Sequence, residues 1–351
     1  MEELNKLAAE LLCRLIGTPS LSGEEDDVAS LIEEFLKDRG FRTSRKYNNV
    51  RTLIEPDPGL PVILLNSHLD TVKPVEGRTR DPFRASVEDR CIYGLGSNDA
   101  GASLVALLAC FIYLSGMKDL PYRLVFAASA EEEISGGKGI CSILPELGKI
   151  DLAIVGEPTG MKMAVAEKGL LVIDCTASGR AAHVSHGSAT NAIYSAMKDV
   201  GWIQKFCFDR DSEQLGSVQM QVTQIQAGYQ HNIVPDRCDF VLDVRSNDRY
   251  TNEEVFGIIR DHLGSRCQAR SFRLNSSSIP MDHPVVQRGL SLGLEYFGSA
   301  TLSDQALMPF PSMKIGPGDS SRSHTADEYI RIRELHEGIS MYIDLLNGLK
   351  L

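Results

Sequence analysis

The sequence predicts an α/β fold: a three-layer α/β/α domain with a mostly parallel sheet, into which a smaller α+β domain is inserted. Short apolar runs without alternation are typical of strands buried on both faces of a parallel sheet. Three such runs occur in the first half of the chain, at residues 62–65, 124–128 and 152–155. A helical stretch at residues 102–114 separates the first two runs, and this rhythm favours a sheet sandwiched between helices.

The pattern changes after about residue 167, where the predicted strands become longer and alternate between apolar and polar residues. Such alternation indicates a sheet with one face packed on helices and the other exposed. The predicted strands are residues 170–176, 217–227, 237–245 and 271–279, with helical segments near residues 190–206 and 252–264. Helical residues return at about Pro284, followed by a buried strand at residues 313–315 and a helix at residues 332–349. We therefore predict one domain from residues 1–166 and 282–351, interrupted by an inserted domain at residues 167–281.

The first clearly amphipathic helix is predicted at residues 22–39. Apolar residues from position 28 to position 36 recur at helical spacing, and Gly40 follows where a helix commonly ends. Ser22 and Glu25 match a capping box, in which the serine accepts a backbone N–H and the glutamate reaches back to the start of the helix.

Composition and charge limit the classes of function. The 351 residues are 43% hydrophobic and 24% charged, which is ordinary for a globular protein and excludes collagen-like and fully disordered chains. A net charge of −11 and a pI near 5.3 argue against nucleic-acid binding. The longest apolar run, residues 104–114, is far shorter than the roughly 20 residues of a membrane helix. The first residues lack the pattern of an export signal and the eight cysteines lack Cys-x-x-Cys spacing, so we expect a cytoplasmic protein with reduced thiols.

Polar residues able to bind a metal follow the predicted buried strands. His68 and Asp70 follow the first strand, the three glutamates 131–133 follow the second, and Glu157 follows the third. Asp99 lies in a glycine-rich segment just before a predicted helix. Because open α/β sheets place their sites beyond the carboxyl ends of strands, we expect these side chains to converge.

Two other chemistries fit this set less well. The glycine-rich segment around Asp99 lacks the Gly-Lys-Ser/Thr ending of a phosphate-binding loop, and an acidic residue stands where an anion would sit. The sequence also lacks the Gly-x-Ser-x-Gly motif of a nucleophilic serine. A further histidine, His324, follows Gly316-Pro-Gly318, and the combined histidines and carboxylates favour a divalent metal.

The order of the motifs resembles that of one family. His-x-Asp, Gly-x-Gly-Ser-Asn-Asp-x-Gly, Glu-Glu-Glu, Gly-Glu-Pro-Thr, Gly-Arg-Ala-Ala-His and His-Thr-x-x-Glu follow one another as in the co-catalytic zinc aminoacylases and carboxypeptidases. Acetylornithine deacetylase and succinyl-diaminopimelate desuccinylase belong to that family. The resemblance extends from about residue 17 to the last helix, and it implies that the inserted domain is a lid and dimerisation domain.

The resemblance implies two zinc ions per subunit, with Co²⁺ or Mn²⁺ as substitutes. His68, Asp99 and Glu157 would bind one ion, while Asp99, Glu133 and His324 would bind the other. Asp99 would bridge the two, which agrees with the need for a shared carboxylate between ions roughly 3.5–4 Å apart.

The resemblance also assigns catalytic roles around these ligands. Asp70 would accept a hydrogen bond from the second ring nitrogen of His68 and so fix its tautomer. Glu132 would be the general base that takes a proton from the attacking water, with Glu131 as the alternative within the triplet. The resemblance further implies a cis peptide bond between Asp99 and Ala100.

Three residues of the inserted domain match positions that the family uses around the substrate. His183 would donate a hydrogen bond to the oxyanion, acting in the site of a partner subunit in a homodimer. Asn232 and Arg245 would contact the substrate, and the planar fork of Arg245 suits an α-carboxylate. Without the resemblance, His183 and His186 would be interpreted as a pair without catalytic importance. For Arg245, a surface arginine at a strand end is the alternative from the sequence alone.

These features predict hydrolysis of the amide bond of a small-molecule N-acyl amino acid. N-acetylornithine or an N-acyl-citrulline is the favoured substrate, which would place the enzyme in arginine biosynthesis. The alternatives are a succinyl-diaminopimelate desuccinylase and a dipeptidase or aminopeptidase of the same family. A metal-free binding protein on the same fold is the hypothesis from a different class.

Overall fold

The computed structural model describes residues 1–55, 57–187 and 189–351, and these form two compact units. The first unit comprises Met1–Val165, Ile279–Phe297 and Ser303–Leu351. The second comprises Ala166–Ser278 and Gly298–Leu302.

The elements follow one another along the chain as follows. The first part contains α1 (Glu2–Ile16), α2 (Asp26–Lys37), β1 (Thr43–Lys46), β2 (Asn49–Ile54), β3 (Val62–His68), β4 (Ser86–Glu88), β5 (Cys91–Tyr93), α3 (Ala102–Ser115), β6 (Arg123–Ser129), α4 (Leu144–Leu147), β7 (Leu152–Val155) and β8 (Met163–Glu167). The middle part contains β9 (Leu171–Ser178), β10 (Ala182–His183), α5 (Ala192–Ile203), β11 (Gln219–Ala227), β12 (Ile233–Val234), β13 (Arg237–Arg245), α6 (Asn252–His262), β14 (Arg266–Ala269) and β15 (Ser277–Ser278). The last part contains α7 (Pro284–Ser291), β16 (Tyr296–Ser299), β17 (Ser312–Lys314), β18 (Tyr329–Arg331) and α8 (Ile332–Leu346).

The first unit is built on a twisted sheet in the order β1-β2-β6-β3-β7-β17-β8. Its centre is parallel, since β3 pairs in parallel with both β6 and β7, and β17 pairs in parallel with β7. The three apolar runs therefore form the neighbouring central strands, as predicted.

Both faces of this sheet are covered. Ile63 and Leu65 of β3 belong to a core that includes apolar residues of α1, α2, α3 and α8. Val62 and Leu64 point to the opposite face, where they pack with Ile140 and neighbouring apolar residues. Apolar burial on both sides confirms the three-layer arrangement and explains why the run shows no alternation.

Helix α3 is the central helix of this core. Together with the turn before it, the segment Ser97–Ser115 is long and apolar enough to cross a membrane by length and composition alone. However, 78% of its apolar window is buried inside the protein, as in the core helix of a folded domain.

The second unit has an antiparallel sheet in the order β11-β13-β9-β14. In β9 the residues alternate in exposure, so that Ile173 and Cys175 are buried while Asp174 is exposed. The buried residues pack with α5 and α6 in a separate core. The α+β character predicted for the middle of the chain is confirmed.

One predicted strand in this unit is wrong. The fourth strand is Arg266–Ala269, and residues 271–276 form a loop instead of the predicted strand at 271–279. Phe272 and Leu274 suggested a strand because they are apolar, but their carbonyl groups accept hydrogen bonds from the Asn252 side chain at 3.4 and 2.8 Å. These contacts anchor a loop with an apolar interior.

Candidate active site

Three buried strands bring polar residues to one edge of the first sheet. Strands β6, β3 and β7 are parallel neighbours, so their carboxyl ends lie together. Strand β3 ends at His68, β6 is followed by the glutamates 131–133, and β7 is followed by Glu157. Because the strands are buried on both faces, these ends are where charged side chains can reach a cavity or solvent.

Asp99 lies between two histidines at this edge. Its Oδ1 is 3.4 Å from Nε2 of His68, and its Oδ2 is 3.7 Å from Nε2 of His324. Each carboxylate oxygen thus faces a different imidazole, which is the arrangement that one carboxylate needs in order to bridge two metal ions. The peptide bond between Asp99 and Ala100 is cis, as the resemblance implies.

The structure completes one group of candidate ligands on each side of Asp99. In the inner group, Glu157 Oε1 lies 3.8 Å from Nε2 of His68. In the outer group, the Glu133 carboxylate lies 3.0 Å from Nε2 of His324, and this hydrogen bond raises the pKa of His324 to about 9. The side chain of His68 is buried, whereas that of His324 is 49% exposed. The structure therefore brings together all five residues predicted as ligands.

The inner group carries crowded acidic groups in a desolvated place. Burial raises the pKa of Glu157 to about 8, and repulsion from Asp99 adds to the effect. Burial raises the pKa of Glu132 well above its ordinary value, and neighbouring carboxylates reinforce the shift. For His68, burial opposes protonation, but hydrogen bonds to Asp70 and Asp99 outweigh it and raise its pKa. A divalent cation would relieve this crowding, so the donor set fits a metal of the kind bound by histidine and carboxylate ligands.

The structure separates the members of the glutamate triplet. Glu132 has a carboxylate oxygen within 4.8 Å of ligand atoms of both His68 and Glu157. Glu131 adopts a positive φ of 54°, and its Oε2 accepts the N–H of Lys138 at 2.9 Å. Glu131, the alternative base, thus has its carboxylate tied to a neighbouring turn.

Asp70 contacts His68, but mainly through a different atom from the one predicted. Nδ1 of His68 lies 2.9 Å from the backbone carbonyl of Asp70 and 3.5 Å from its carboxylate. The carboxylate accepts the N–H groups of Glu132 and Glu133 at 3.0 and 3.1 Å. The carbonyl is the nearer acceptor, and it lies on the backbone two residues after His68, the last residue of β3. Asp70 therefore orients the histidine and fixes the backbone that carries two of the three glutamates.

The predicted capping box is wrong, and its two residues support the site instead. Helix α2 starts at Asp26, with Glu25 as its N-cap residue. Ser22 donates its hydroxyl to the Asp70 carboxylate at 2.7 Å. Glu25 Oε1 accepts the N–H of Glu131 at 3.2 Å. The same oxygen accepts the N–H of Gly23 at 2.6 Å. The contacts with Asp70 and Glu131 are tertiary, and local sequence spacing cannot indicate them.

Glu328 holds the loop that carries Asp99, a role that the sequence analysis did not assign. Its buried carboxylate accepts N–H groups from Gly96 at 3.0 Å and from Asn98 and Asp99 at 2.8 Å each. The signal lay in the His-Thr-x-x-Glu motif, since Glu328 follows His324 by four residues. One short segment thus provides a candidate ligand and the acceptor that fixes the loop of another.

The second unit brings two of its three predicted site residues together. His183 pairs with Ile233, and the carbonyl of Asn232 accepts the N–H of Val184 at 3.1 Å. Nδ1 of His183 accepts the N–H of Ser185 at 3.3 Å and lies 2.7 Å from its hydroxyl. In a neutral imidazole this leaves the proton on Nε2, as a hydrogen-bond donor requires.

Arg245 lies apart from that pair. It is the last residue of the nine-residue strand β13, and a strand of this length places its two ends roughly 26 Å apart. The first residue, Arg237, pairs with Ser178, just before the segment that leads to His183. Its guanidinium group contacts the Asp243 carboxylate at 2.8 and 3.2 Å. The strand-end position agrees with the surface interpretation, and any substrate carboxylate would compete with Asp243.

Comparisons with known proteins agree with this geometry. The family described as the peptidase dimerisation domain matches residues 165–270. An acetylornithine deacetylase from Shigella sonnei is 26% identical over 373 aligned residues, covering 96% of each chain.

Solved structures share the fold over nearly the whole chain. A tripeptidase from Staphylococcus aureus aligns with a TM-score of 0.77 and 20% identity, covering 97% of both chains. A dinuclear metal-binding peptidase of the M20 family from Bacillus subtilis aligns with a TM-score of 0.76 and 16% identity, covering 99% of this chain and 98% of that one.

Proposed function

We propose that this metal-dependent amidohydrolase, which resembles M20 peptidases over nearly its whole length, removes the acyl group from a small N-acyl amino acid. The observation that carries the proposal is the placement of Asp99 between two histidine and carboxylate groups, with Glu132 beside them. Hydrolysis of an unactivated amide needs an activated water and a proton carrier, and this arrangement suits both.

In this proposal the inner group binds one divalent ion and the outer group binds a second. The inner group is His68, Asp99 and Glu157, and the outer group is Asp99, Glu133 and His324. Zinc is the metal that we propose, with Co²⁺ or Mn²⁺ as substitutes, since all three accept imidazole and carboxylate ligands. Ions held by these residues would supply Lewis-acid chemistry, in the form of a polarised substrate carbonyl and a more acidic water molecule.

The residues of the chain then move the proton. Glu132 accepts it from the attacking water and delivers it to the leaving amine. Its raised pKa suits this exchange, because a carboxylate with an ordinary pKa would hold the proton too weakly to deliver it. Asp70 keeps Glu132 in place through the backbone hydrogen bond.

We also propose that the enzyme is a homodimer in which His183 serves the site of the partner subunit. The matched dimerisation domain supports this assembly. Strand β11 lies at the edge of its sheet and is mostly exposed, including Ile225. Tyr194 and Met197 expose apolar surface on α5. An open strand edge beside apolar side chains is a surface that a second copy would cover.

The acyl group and the amino acid form the finer part of the proposal. The likeness to the Shigella sonnei acetylornithine deacetylase over 96% of both chains supports N-acetylornithine, with N-acyl-citrulline next. This substrate would place the enzyme in arginine biosynthesis in the cytoplasm. Arg245 and Asn232 would contact the substrate. A peptidase is the second candidate function, because a neighbour of very similar fold is a tripeptidase.

A hydrolysis panel with metal analysis tests the proposal. The purified chain is loaded with Zn²⁺ and assayed on N-acetyl and N-succinyl derivatives of ornithine, citrulline and diaminopimelate, and on di- and tripeptides. We expect a preference of at least tenfold in kcat/KM for N-acetylornithine or an N-acyl-citrulline, about 1.4 kcal/mol in transition-state binding.

Each other result has a distinct meaning. Preference for N-succinyl-diaminopimelate or for peptides would retain the reaction class and replace the substrate. Absence of bound metal, together with no hydrolysis after metal is added, would favour a binding protein on the same fold.

A further inference from the structure

Two cysteines face each other across the antiparallel sheet of the second unit. Cys175 of β9 lies directly opposite Cys267 of β14, and their sulfur atoms are 3.7 Å apart. Both are free thiols. The two cysteines are 92 positions apart in the sequence and belong to neither proposed metal group.

The register of the strands suits a disulfide at this position. The N–H of Arg270 donates to the carbonyl of Val172, so that opposed pair is hydrogen-bonded. Pairs alternate along an antiparallel ladder, so Cys267 and Cys175, three positions away, form a non-hydrogen-bonded pair. Opposed Cα atoms at such a pair are about 4.5 Å apart, within the roughly 4.4–6.8 Å that disulfides span.

The two thiols differ in access and in acidity. Cys175 is buried in the core of the unit, while Cys267 is partly exposed on the edge strand. The hydrogen bond from Cys175 lowers the pKa of Cys267, and the same bond together with burial raises the pKa of Cys175. An oxidant from solution should therefore react first with Cys267, and Cys175 should then react with the modified Cys267.

We propose that Cys175 and Cys267 form a redox-active pair that a low-molecular-weight disulfide, such as glutathione disulfide, converts into a cross-strand disulfide. The Cys267 thiolate attacks one sulfur of the oxidant, whose S–S bond breaks and releases one small thiol. Cys175 loses its proton and attacks the Cys267 sulfur, which releases the second small thiol. The protein loses two electrons and two protons, and the oxidant gains both.

The bond would join two strands that begin and end the inserted segment. Strand β9 is the first long strand after residue 166, and β14 is the last strand of the sheet before the chain returns at residue 279. Closing a loop of 92 residues restricts the unfolded chain. Oxidation should therefore raise the unfolding temperature of the second unit by several degrees, and a reductant should reverse the shift.

The test uses the full-length reduced protein equilibrated with mixtures of glutathione and glutathione disulfide. Samples are quenched with acid, alkylated, and analysed by intact mass and by peptide mapping. The wild type should carry two alkyl labels fewer than the reduced protein, with a peptide that links positions 175 and 267. Cys175→Ser should accumulate a mixed disulfide with glutathione at Cys267, and Cys267→Ser should keep Cys175 as a free thiol.

Cys207→Ser, which removes an exposed cysteine elsewhere in the unit, is the matched control and should form the same link as the wild type. The proposal is overturned if the wild type stops at a mixed disulfide, or if the link joins other cysteines. It is equally overturned if Cys175 reacts at the wild-type rate in Cys267→Ser, or if both thiols survive every mixture.

Discussion

The two sheets of the molecule position polar residues in opposite ways. In the first unit, parallel strands end at one edge, and residues as far apart in sequence as His68 and His324 meet there around Asp99. In the second unit, antiparallel strands run in both directions, and the predicted site residues are divided between strand ends. His183 lies beside Asn232, whereas Arg245 lies at the far end of β13.

The difference shows how topology limits where chemistry can be assembled. A parallel sheet collects the residues after its strands at one edge, so a single chain can assemble a whole site there. An antiparallel sheet distributes them over two edges, so its residues contribute more readily to a site that another element or another subunit completes.

The largest effect should come from the residue that carries the proton. Glu132→Gln keeps the size of the side chain but cannot accept a proton, so kcat should fall by about 10²–10⁴. Bound metal should persist, as measured by elemental analysis. Glu133→Gln should instead lose one of the two ions. If Glu132→Gln loses metal while Glu133→Gln retains it, the roles within the triplet are exchanged.

A smaller loss should follow removal of the histidine on the second unit. His183→Ala removes the proposed donor to the oxyanion, so kcat should fall by about 10²–10³ with metal content unchanged. His186→Ala removes the neighbouring imidazole and should retain most of the activity.

Mixing two inactive variants tests whether His183 acts in a partner subunit. In a mixed dimer of His183→Ala and Glu132→Gln, one site has both residues intact and the other lacks both. Subunit exchange should restore roughly a quarter of wild-type activity, because half of the dimers are mixed and each has one complete site. Proven exchange without recovery would mean that His183 serves its own chain or takes no part in catalysis.

Loss of the loop anchor should weaken metal binding. Glu328→Gln replaces one acceptor oxygen by an amide N–H₂ that faces backbone N–H groups, so the Asp99 loop loses support. Metal affinity measured by calorimetric titration should fall about 10–100-fold, as for other residues that hold a ligand in place. Glu337→Gln, on the exposed face of α8, is the matched control. Unchanged affinity in Glu328→Gln would show that the loop keeps its shape without the carboxylate.

The smallest effect should come from the hydroxyl that supports Asp70. Ser22→Ala removes one of three hydrogen bonds to that carboxylate, so the free energy of unfolding should fall by about 1 kcal/mol. Activity should change by less than about tenfold, because two backbone donors still hold the carboxylate. Ser340→Ala, whose hydroxyl bonds within α8, serves as the reference in chemical denaturation. A loss above about 3 kcal/mol would mean that the serine organises more of the site than one bond.

The fold of the first unit was predictable from the sequence because burial of a strand on both faces produces a distinct sequence pattern. Strands buried on both faces must be apolar throughout, so residues 62–65 and 152–155 marked central strands and their ends marked the site. The convergence of His68, the glutamates 131–133 and Glu157 followed from the parallel order of those strands, whereas Asp99 comes from a loop outside this sheet.

Contacts that join distant residues were not predictable from local spacing. Ser22 and Glu25 carry a spacing typical of a helix cap, but Ser22 bonds to Asp70 and Glu25 bonds to Glu131 as well as to Gly23. The loop after β14 was mistaken for a strand because apolar residues pack inward in either conformation. Glu328 was visible only as part of a motif, since its partners lie about 230 residues earlier.

Because Glu328 anchors the Asp99 loop, this loop cannot take its final structure during synthesis until residue 328 has been made. The loop at residues 96–99 leaves the ribosome more than 220 residues before its acceptor. Until then three buried N–H groups have no carboxylate to accept them, and the nearby amides of residues 79 and 80 equally await Asp327. Strands β2, β6, β3 and β7 can pair as they emerge, because these partners all lie within the first part of the chain. Metal-binding competence should therefore arise in one late step, when the segment around residues 324–328 docks.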